Sequence, residues 1–333
     1  MPIINPYISQ NIFSAIKKAE NILLVSHIRP DGDSLGAILA FYKFLLGQNK
    51  KSVMLVNDVL PADFKFLPHF NQIETDFNNF RGEKFDLIIF LDCGDFMRSG
   101  LKNYEDKLKD VLAINIDHHF SNDNFGAINL VMPEISSTSE ILYHFFSALD
   151  FLIESGIATC LLTGILTDTN FFIHNNTSHA TVKSVSELIK SGAKINSVLE
   201  HIYTTPSFKS LKLYGKALAR LQIDTETELA TTAVFLDDLE EIRAVEDDLE
   251  GLDNYLSLLN DVKGTLILKE HELGFVKGSL RTTRNDVDVA AIAKNFGGGS
   301  LKAGSTQGAS PTLFPVCRRI SKFCDTGLRP NAF

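Results

Sequence analysis

The sequence predicts an α/β fold: a parallel-sheet domain joined by a helical linker to a smaller α+β domain. Three observations carry this. Short apolar runs alternate with amphipathic stretches through the first half, which is the pattern of βαβ units. One run, DLIIFL at Asp86–Leu91, is continuously apolar, as strands covered on both faces are. At 333 residues the chain is too long for one ordinary domain and fits two.

Each element follows in order. Asn21–Ser26 (NILLVS) reads as a strand, and Leu35–Leu46 as the apolar-periodic helix after it. Ser52–Val56, Asp86–Leu91, Val111–Ile116 and Ala127–Val131 supply further strands. Helical periodicity then takes over at Thr138–Leu149, Ile157–Leu166 and Ala180–Ser191, the last stopped by Gly192. From Val198 to Leu221 the pattern stays helical, with Pro206 as a break. In the second domain Leu229–Leu236 is a strand, Asp237–Leu259 an acidic helical stretch, and Val262–Leu268 and Gly274–Arg281 paired strands. Val287–Asn295 reads as a helix ending at Gly297-Gly298-Gly299. The expected boundaries are therefore 1–192, a linker at 193–224, a second domain at 225–309 and an atypical tail at 310–333. The tail is basic, aperiodic and holds Cys317 and Cys324.

Composition narrows the function classes. Hydrophobic residues at 44% and charged residues at 22% describe an ordinary globular chain that can build a full core. No apolar run reaches the length of a membrane span, and MPIINPYISQ lacks the features of a secretory signal. Four cysteines form no CxxC pair. Together these point to a reducing cytoplasm and no membrane partner. A net charge of −9 argues against a broad surface for long duplex nucleic acid. A small phosphorylated substrate remains compatible with it, because bound cations reverse the local field.

The chemistry sits where apolar runs end. NILLVS runs into His27, then Asp31 and Asp33 in HIRPDGDS; DLIIFL runs into Asp92 in DCGD; VLAINI runs into Asp117-His118-His119. Asp168 closes the apolar helical stretch TGILTD. In an open parallel sheet, ligands bind outside the carboxyl ends of the strands, so these side chains converge on one crevice. Any one of them alone reads as a turn or capping residue. Their joint occurrence does not. Carboxylates and imidazoles without thiolate suit hard divalent cations, Mn²⁺ ahead of Mg²⁺. Two such ions roughly 3.5–4 Å apart can share a carboxylate and clamp an in-line phosphoryl displacement. Pro30, Gly32 and Gly36 are expected to keep the loop tight, and Ser34 to cap the following helix.

At these residues the chain resembles the DHH phosphoesterase family, in the branch with a DHH-associated C-terminal domain; the likeness runs from about Asn21 to Gly299. The resemblance implies a hydrolase with two divalent cations, acting on short RNA oligonucleotides or on 3′-phosphoadenosine 5′-phosphate (pAp) through a metal-activated hydroxide. It implies His27 and Asp31 on one metal, Asp33, His118 and Asp168 on the other, and Asp92 as the shared catalytic ligand. His119 would face the substrate and Asp117 would orient the imidazoles. Arg281, in GSLR, and the loop Gly297, Gly298, Gly299 and Ser300 would grip the substrate; Ser300 stands where the family has histidine. A homodimer is compatible with this reading. The alternatives are pyrophosphate or polyphosphate hydrolysis, cleavage of cyclic or linear dinucleotides, and nucleotide binding with weakened catalysis.

Other residues read more plainly. Arg98 either supports the metal loop or pairs with a carboxylate, and His174 reads as a loop residue. Thr138-Ser139-Glu140 is expected to be capping chemistry, and Cys93 a buried small residue.

Overall fold

The computed structural model describes residues 4–80, 82–202, 206–225, 227–249, 251–256, 259, 261–271, 275–282, 287, 307–308 and 312–315. The chain divides into two compact units, Met1–Tyr203 and Thr204–Phe333.

The first unit opens with α1 (Pro6–Lys18), capped by the Asn5 side chain with proline at its first position. There follow β1 (Asn21–Ser26), α2 (Gly32–Gly47), β2 (Lys51–Val56), β3 (Ile73–Glu74), β4 (Leu87–Leu91), α3 (Glu105–Leu108), β5 (Leu112–Asp117) and β6 (Ile128–Val131). Four helices close the unit: α4 (Thr138–Ala148), α5 (Ser155–Asp168), α6 (His179–Lys190) and α7 (Ile195–Ile202). The strands form one sheet in the order β3-β2-β1-β4-β5-β6, every neighbour parallel. The order reverses between β1 and β4, so the crevice at that switch point receives the residues that follow both strands.

Successive residues of a strand face opposite sides, and both sides here are covered. Ile22, Leu24, Ile89 and Ile114 join a large core with α1, α2, α4 and α5. Leu23, Val25, Ile88 and Phe90 join a smaller one with Phe77, Phe80, Phe85, Leu101 and Leu108, which come from α3 and from loops and 3-10 turns. This double burial explains why β1 and β4 read as unbroken apolar runs. Within the larger core α2 and α5 pack unusually close. A Cβ on Gly36 would lie 2.5 Å from the Cys160 carbonyl, and one on Gly164 would lie 2.0 Å from Ser139 Oγ and 2.6 Å from Asp33 Oδ1. Only glycine allows that approach.

The second unit contains α8 (Phe208–Ala219), β7 (Gln222–Asp224), β8 (Leu229–Val234), α9 (Leu236–Ile242), α10 (Leu252–Leu256), β9 (Gly264–His271), β10 (Phe275–Thr282), β11 (Gln307–Gly308) and β12 (Thr312–Pro315). Its strands make a mixed sheet, β11-β10-β9-β8-β7, with β12 also pairing β10. A core of Leu213, Ala217, Val234, Leu252 and Ile267 packs α8 and α10 against it.

Several expectations are amended. The stretch expected as a linker holds one helix in each unit: α7 buries Val198 in the first core, and α8 buries Leu213 and Ala217 in the second. The acidic helical stretch 237–259 is divided: the left-handed backbone of Arg243 ends α9, and a 3-10 turn at Glu246–Leu249 precedes α10. The first helix after β1 begins three residues earlier than its apolar period suggested; its N-cap is Asp31, and Ser34 completes a capping box by accepting from the Asp31 N–H at 2.8 Å. Polar and glycine residues fill that first turn, so hydrophobic periodicity does not mark it. The predicted helix beyond Val287 and Gly297 to Ser300 lie outside the described residues. Among the described residues, no helix is long and apolar enough to cross a membrane.

Candidate metal centre

Beyond the C-terminal ends of β1, β4 and β5 the sequence-predicted residues of the first unit come together. Asp92 is central. It follows β4 directly, is 2% exposed, and takes a left-handed backbone (φ 62°) that turns its carboxylate across the strand ends. Its two oxygens face different donors. Oδ2 lies 3.2 Å from His27 Nε2, which is itself 3.7 Å from Asp31 Oδ2. Oδ1 lies 3.7 Å from His118 Nε2, which is also 4.0 Å from Asp33 Oδ2 and 3.9 Å from Asp168 Oδ2. One carboxylate thus belongs to two donor sets, one on each side.

The His27 tautomer is fixed. Its Nδ1 is 2.8 Å from the Ile28 carbonyl, which can only accept, so Nδ1 carries a proton and Nε2 is the nitrogen left to meet a cation. That Nε2 is buried and has no aligned hydrogen-bond partner. A ring nitrogen facing two carboxylates is a donor set that a divalent cation would complete by displacing the Nε2 proton. His119 Nδ1 also approaches Asp92 Oδ1, at 3.6 Å, but it is 2.7 Å from Asp117 Oδ1. Its proton goes to Asp117, which takes that nitrogen out of the ligand set.

The electrostatics agree with a centre that holds protons where cations would sit. Burial alone would lower the His27 imidazolium, but the Asp92 and then the Asp31 carboxylate outweigh it and push it up to about 9. Burial, reinforced by the charge of Asp92 and relieved in part by His118, raises Asp33 well above the carboxylate range. Burial is likewise the main cause that pushes Asp168 up to about 6, against the opposing charge of His118. Asp92 goes the other way: despite its burial, three neighbouring histidines hold it far below the usual range. Cys93, beside it, is fully buried and its thiol is pushed well up, so it packs and does not act as a nucleophile.

Residues that sequence reasoning assigned only to capping do more. The N-terminus of α4 grips Asp33: the Thr138 and Ser139 N–H groups donate to its Oδ2 and Oδ1 at 2.7 and 2.9 Å. A helix N-terminus favours a carboxylate for just this reason. Thr138 Oγ1 donates to Asp92 Oδ1 at 3.0 Å. Asn176 Nδ2 reaches Asp168 Oδ2 at 3.2 Å, and the His174 ring lies 3.2 Å from the Asp168 carbonyl, so this loop supports the ligand. Asn122 Nδ2 donates to Asp117 Oδ2 at 2.6 Å. None of these contacts has a fixed sequence spacing; the T-S-E helix start just after β6 was the one available signal. Among the described residues Arg98 forms no pair with a carboxylate. Its guanidinium is 3.3 Å from His119 Nε2.

In the second unit Arg281 lies on β10, with its guanidinium 3.5 Å from Asp253 Oδ2. Asp253 also accepts from Ser279 Oγ at 3.3 Å.

Comparison with known proteins places this geometry. Residues 21–165 match the DHH family, N-terminal domain. A Thermus thermophilus protein named bifunctional oligoribonuclease and PAP phosphatase NrnA is 28% identical over 282 residues, spanning 84% of this chain and 81% of its own. A Bacillus subtilis protein of the same name is 23% identical over 299 residues, spanning 89% and 92%. The crystal structure of an exopolyphosphatase-related protein from Bacteroides fragilis superposes with a TM-score of 0.79 at 25% identity, covering 98% of this chain and 96% of that one.

Proposed function

From the match of residues 21–165 to the DHH family, N-terminal domain, we propose that the chain hydrolyses phosphate esters of short RNA oligonucleotides and of pAp at the centre built around Asp92. The observation that carries the reading is the division of the Asp92 carboxylate between two donor sets, His27 with Asp31 on one side and His118 with Asp33 and Asp168 on the other. A pair of bound divalent cations, Mn²⁺ before Mg²⁺ by donor chemistry, would offset phosphate charge and make water a hydroxide nucleophile near neutral pH.

The chain's own residues do the rest. His27 and Asp31 would hold one cation, Asp33, His118 and Asp168 the other, and Asp92 would serve both. The α4 N-terminus keeps both oxygens of Asp33 in place, and Thr138 keeps Asp92 from rotating. Asp117 fixes the His119 ring, which faces the substrate. Arg281 is the proposed phosphate ligand of the second unit, with the Gly297–Ser300 loop as its companion by family resemblance.

The test is a substrate panel. Protein stripped by chelation and reloaded with Mn²⁺ is offered pAp, a diribonucleotide, pyrophosphate and polyphosphate. Turnover of pAp and the dinucleotide well above the inorganic substrates is expected. Turnover of inorganic substrates alone would move the function to polyphosphate chemistry, and nucleotide binding without turnover would make the chain a sensor.

A further inference from the structure

We propose that Arg98 is a phosphate-binding catalytic residue, held at the metal centre by the chain Asp117–His119–Arg98. Asp117 is fully buried, and its two oxygens are taken by Asn122 Nδ2 at 2.6 Å and His119 Nδ1 at 2.7 Å. A carboxylate so placed accepts the Nδ1 proton, which leaves His119 Nε2 as an acceptor. Arg98 Nη1 lies 3.3 Å from that nitrogen and donates to it. The imidazole therefore carries no proton toward the substrate from Nε2 in this arrangement. Of these two side chains, Arg98 is the one with N–H groups left to meet a phosphate oxygen.

The backbone fixes Arg98 as firmly as a ligand. Its N–H donates to Asp95 Oδ1 at 2.8 Å, and its carbonyl accepts from the Ile28 N–H at 2.8 Å, next to His27. Gly100, at φ 72°, closes the same turn, where a Cβ would meet the Ile28 side chain at 2.7 Å. Among the described residues no carboxylate pairs with the guanidinium, although Asp33, Asp92 and Asp168 crowd the centre nearby. A planar fork with most of its donors unspent, one side chain away from the shared Asp92, is suited to two oxygens of one phosphoryl group. Its charge would add to the stabilisation of the transition state.

The inference rests on the phosphoester reading only for its choice of substrate, and the experiment separates the two. Arg98→Met and Arg98→Lys are compared with wild type for Mn²⁺ content, inhibition by inorganic phosphate, and kcat on pAp and on the generic diester bis(p-nitrophenyl) phosphate. Wild-type metal content, weaker phosphate inhibition and a loss of about 10²–10³ in kcat are expected for Arg98→Met. Arg98→Lys should recover part of the phosphate affinity and little of kcat, and free guanidinium ion should restore turnover to Arg98→Met. Wild-type kcat and phosphate inhibition in Arg98→Met would overturn the proposal. So would loss of metal without rescue by guanidinium, which would make Arg98 a scaffold residue. A wild-type protein that ignores pAp, yet binds inorganic phosphate and cleaves the generic diester through Arg98, would refute the substrate reading and support this one.

Discussion

Replacing Thr138 by valine removes one oxygen and leaves shape almost unchanged. Thr138 is fully buried, and among the described residues its Oγ1 makes a single hydrogen bond, at 3.0 Å to Asp92 Oδ1. The Thr138 N–H that grips Asp33 belongs to the backbone and survives. The substitution therefore isolates one contact. A hydrogen bond to a charged group contributes about 1.5–3 kcal/mol, which sets the expected loss of stability in the metal-free protein. The loss of metal affinity has another origin: an untethered carboxylate must be reoriented when the cations bind. Removing such a supporting partner typically costs about 10–100-fold in affinity. Mn²⁺ titration of hydrolysis reads this directly. The half-activating concentration should rise by about tenfold to a hundredfold, while kcat at saturating Mn²⁺ stays within a few-fold. Thr138→Ser, which keeps the hydroxyl, should lie close to wild type. The reasoning is refuted if Thr138→Val, folded, is half-activated at the wild-type concentration, or if serine is as damaging as valine.

Four further outcomes follow from the same geometry. Asp92→Asn keeps a residue type that tolerates the left-handed backbone, so it tests charge without strain; metal analysis should find both donor sets weakened, more than in any other single ligand variant. His118→Ala should lose metal, whereas His119→Ala should keep metal and lose turnover; equal metal loss in both would undo the division of roles. Gly164→Ala drives a methyl into Ser139 Oγ and Asp33 Oδ1, so a drop in Tm together with weakened Mn²⁺ binding is expected, and a wild-type Tm would contradict the close packing of α2 and α5. The fourth outcome concerns acid. Burial would raise Glu140, but the His144 ring 3.7 Å away and hydrogen bonds from Ser136 and Thr181 outweigh it and hold the group below its ordinary value. Its stabilisation is thus full above the unfolded value, about 4.3, and fades as pH falls through the depressed folded one. Urea midpoints of Glu140→Gln should be lower than wild type at pH 7 and converge with it below pH 4; parallel curves would exclude the mechanism.

How far the sequence was legible depended on whether a feature is local. β1 has the predicted bounds, and β4, β5, α4 and α6 fall within about a residue of them, because double burial and helix periodicity are written into neighbouring positions. The residues that line the centre were legible for a similar reason: each follows an apolar run, and strand ends in a parallel sheet share an address. α1 went unread although Asn5-Pro6 marks its start. The two-residue β3 has too little sequence to carry a period. What could not be read was the support. Thr138 and Ser139 meet Asp33 across more than a hundred positions, and Arg98 meets His119 through rotamers that no spacing encodes. Capping was a correct local reading of Thr138-Ser139-Glu140, yet the same N–H groups that start the helix also hold an aspartate from α2.

The order of the ligands along the chain gives the centre a history as well as a shape. His27, Asp31 and Asp33 leave the ribosome first, Asp92 and the Asp117 triplet follow, and Asp168 comes only at the end of α5. β1 can pair with β2 early but must wait for β4 to fill its other side. A nascent chain that ends before α5 therefore lacks Asp168 of the second donor set and the helix against which Gly36 packs. A chain truncated before residue 168 should thus bind a cation less tightly on the His118 side of Asp92 than on the His27 side.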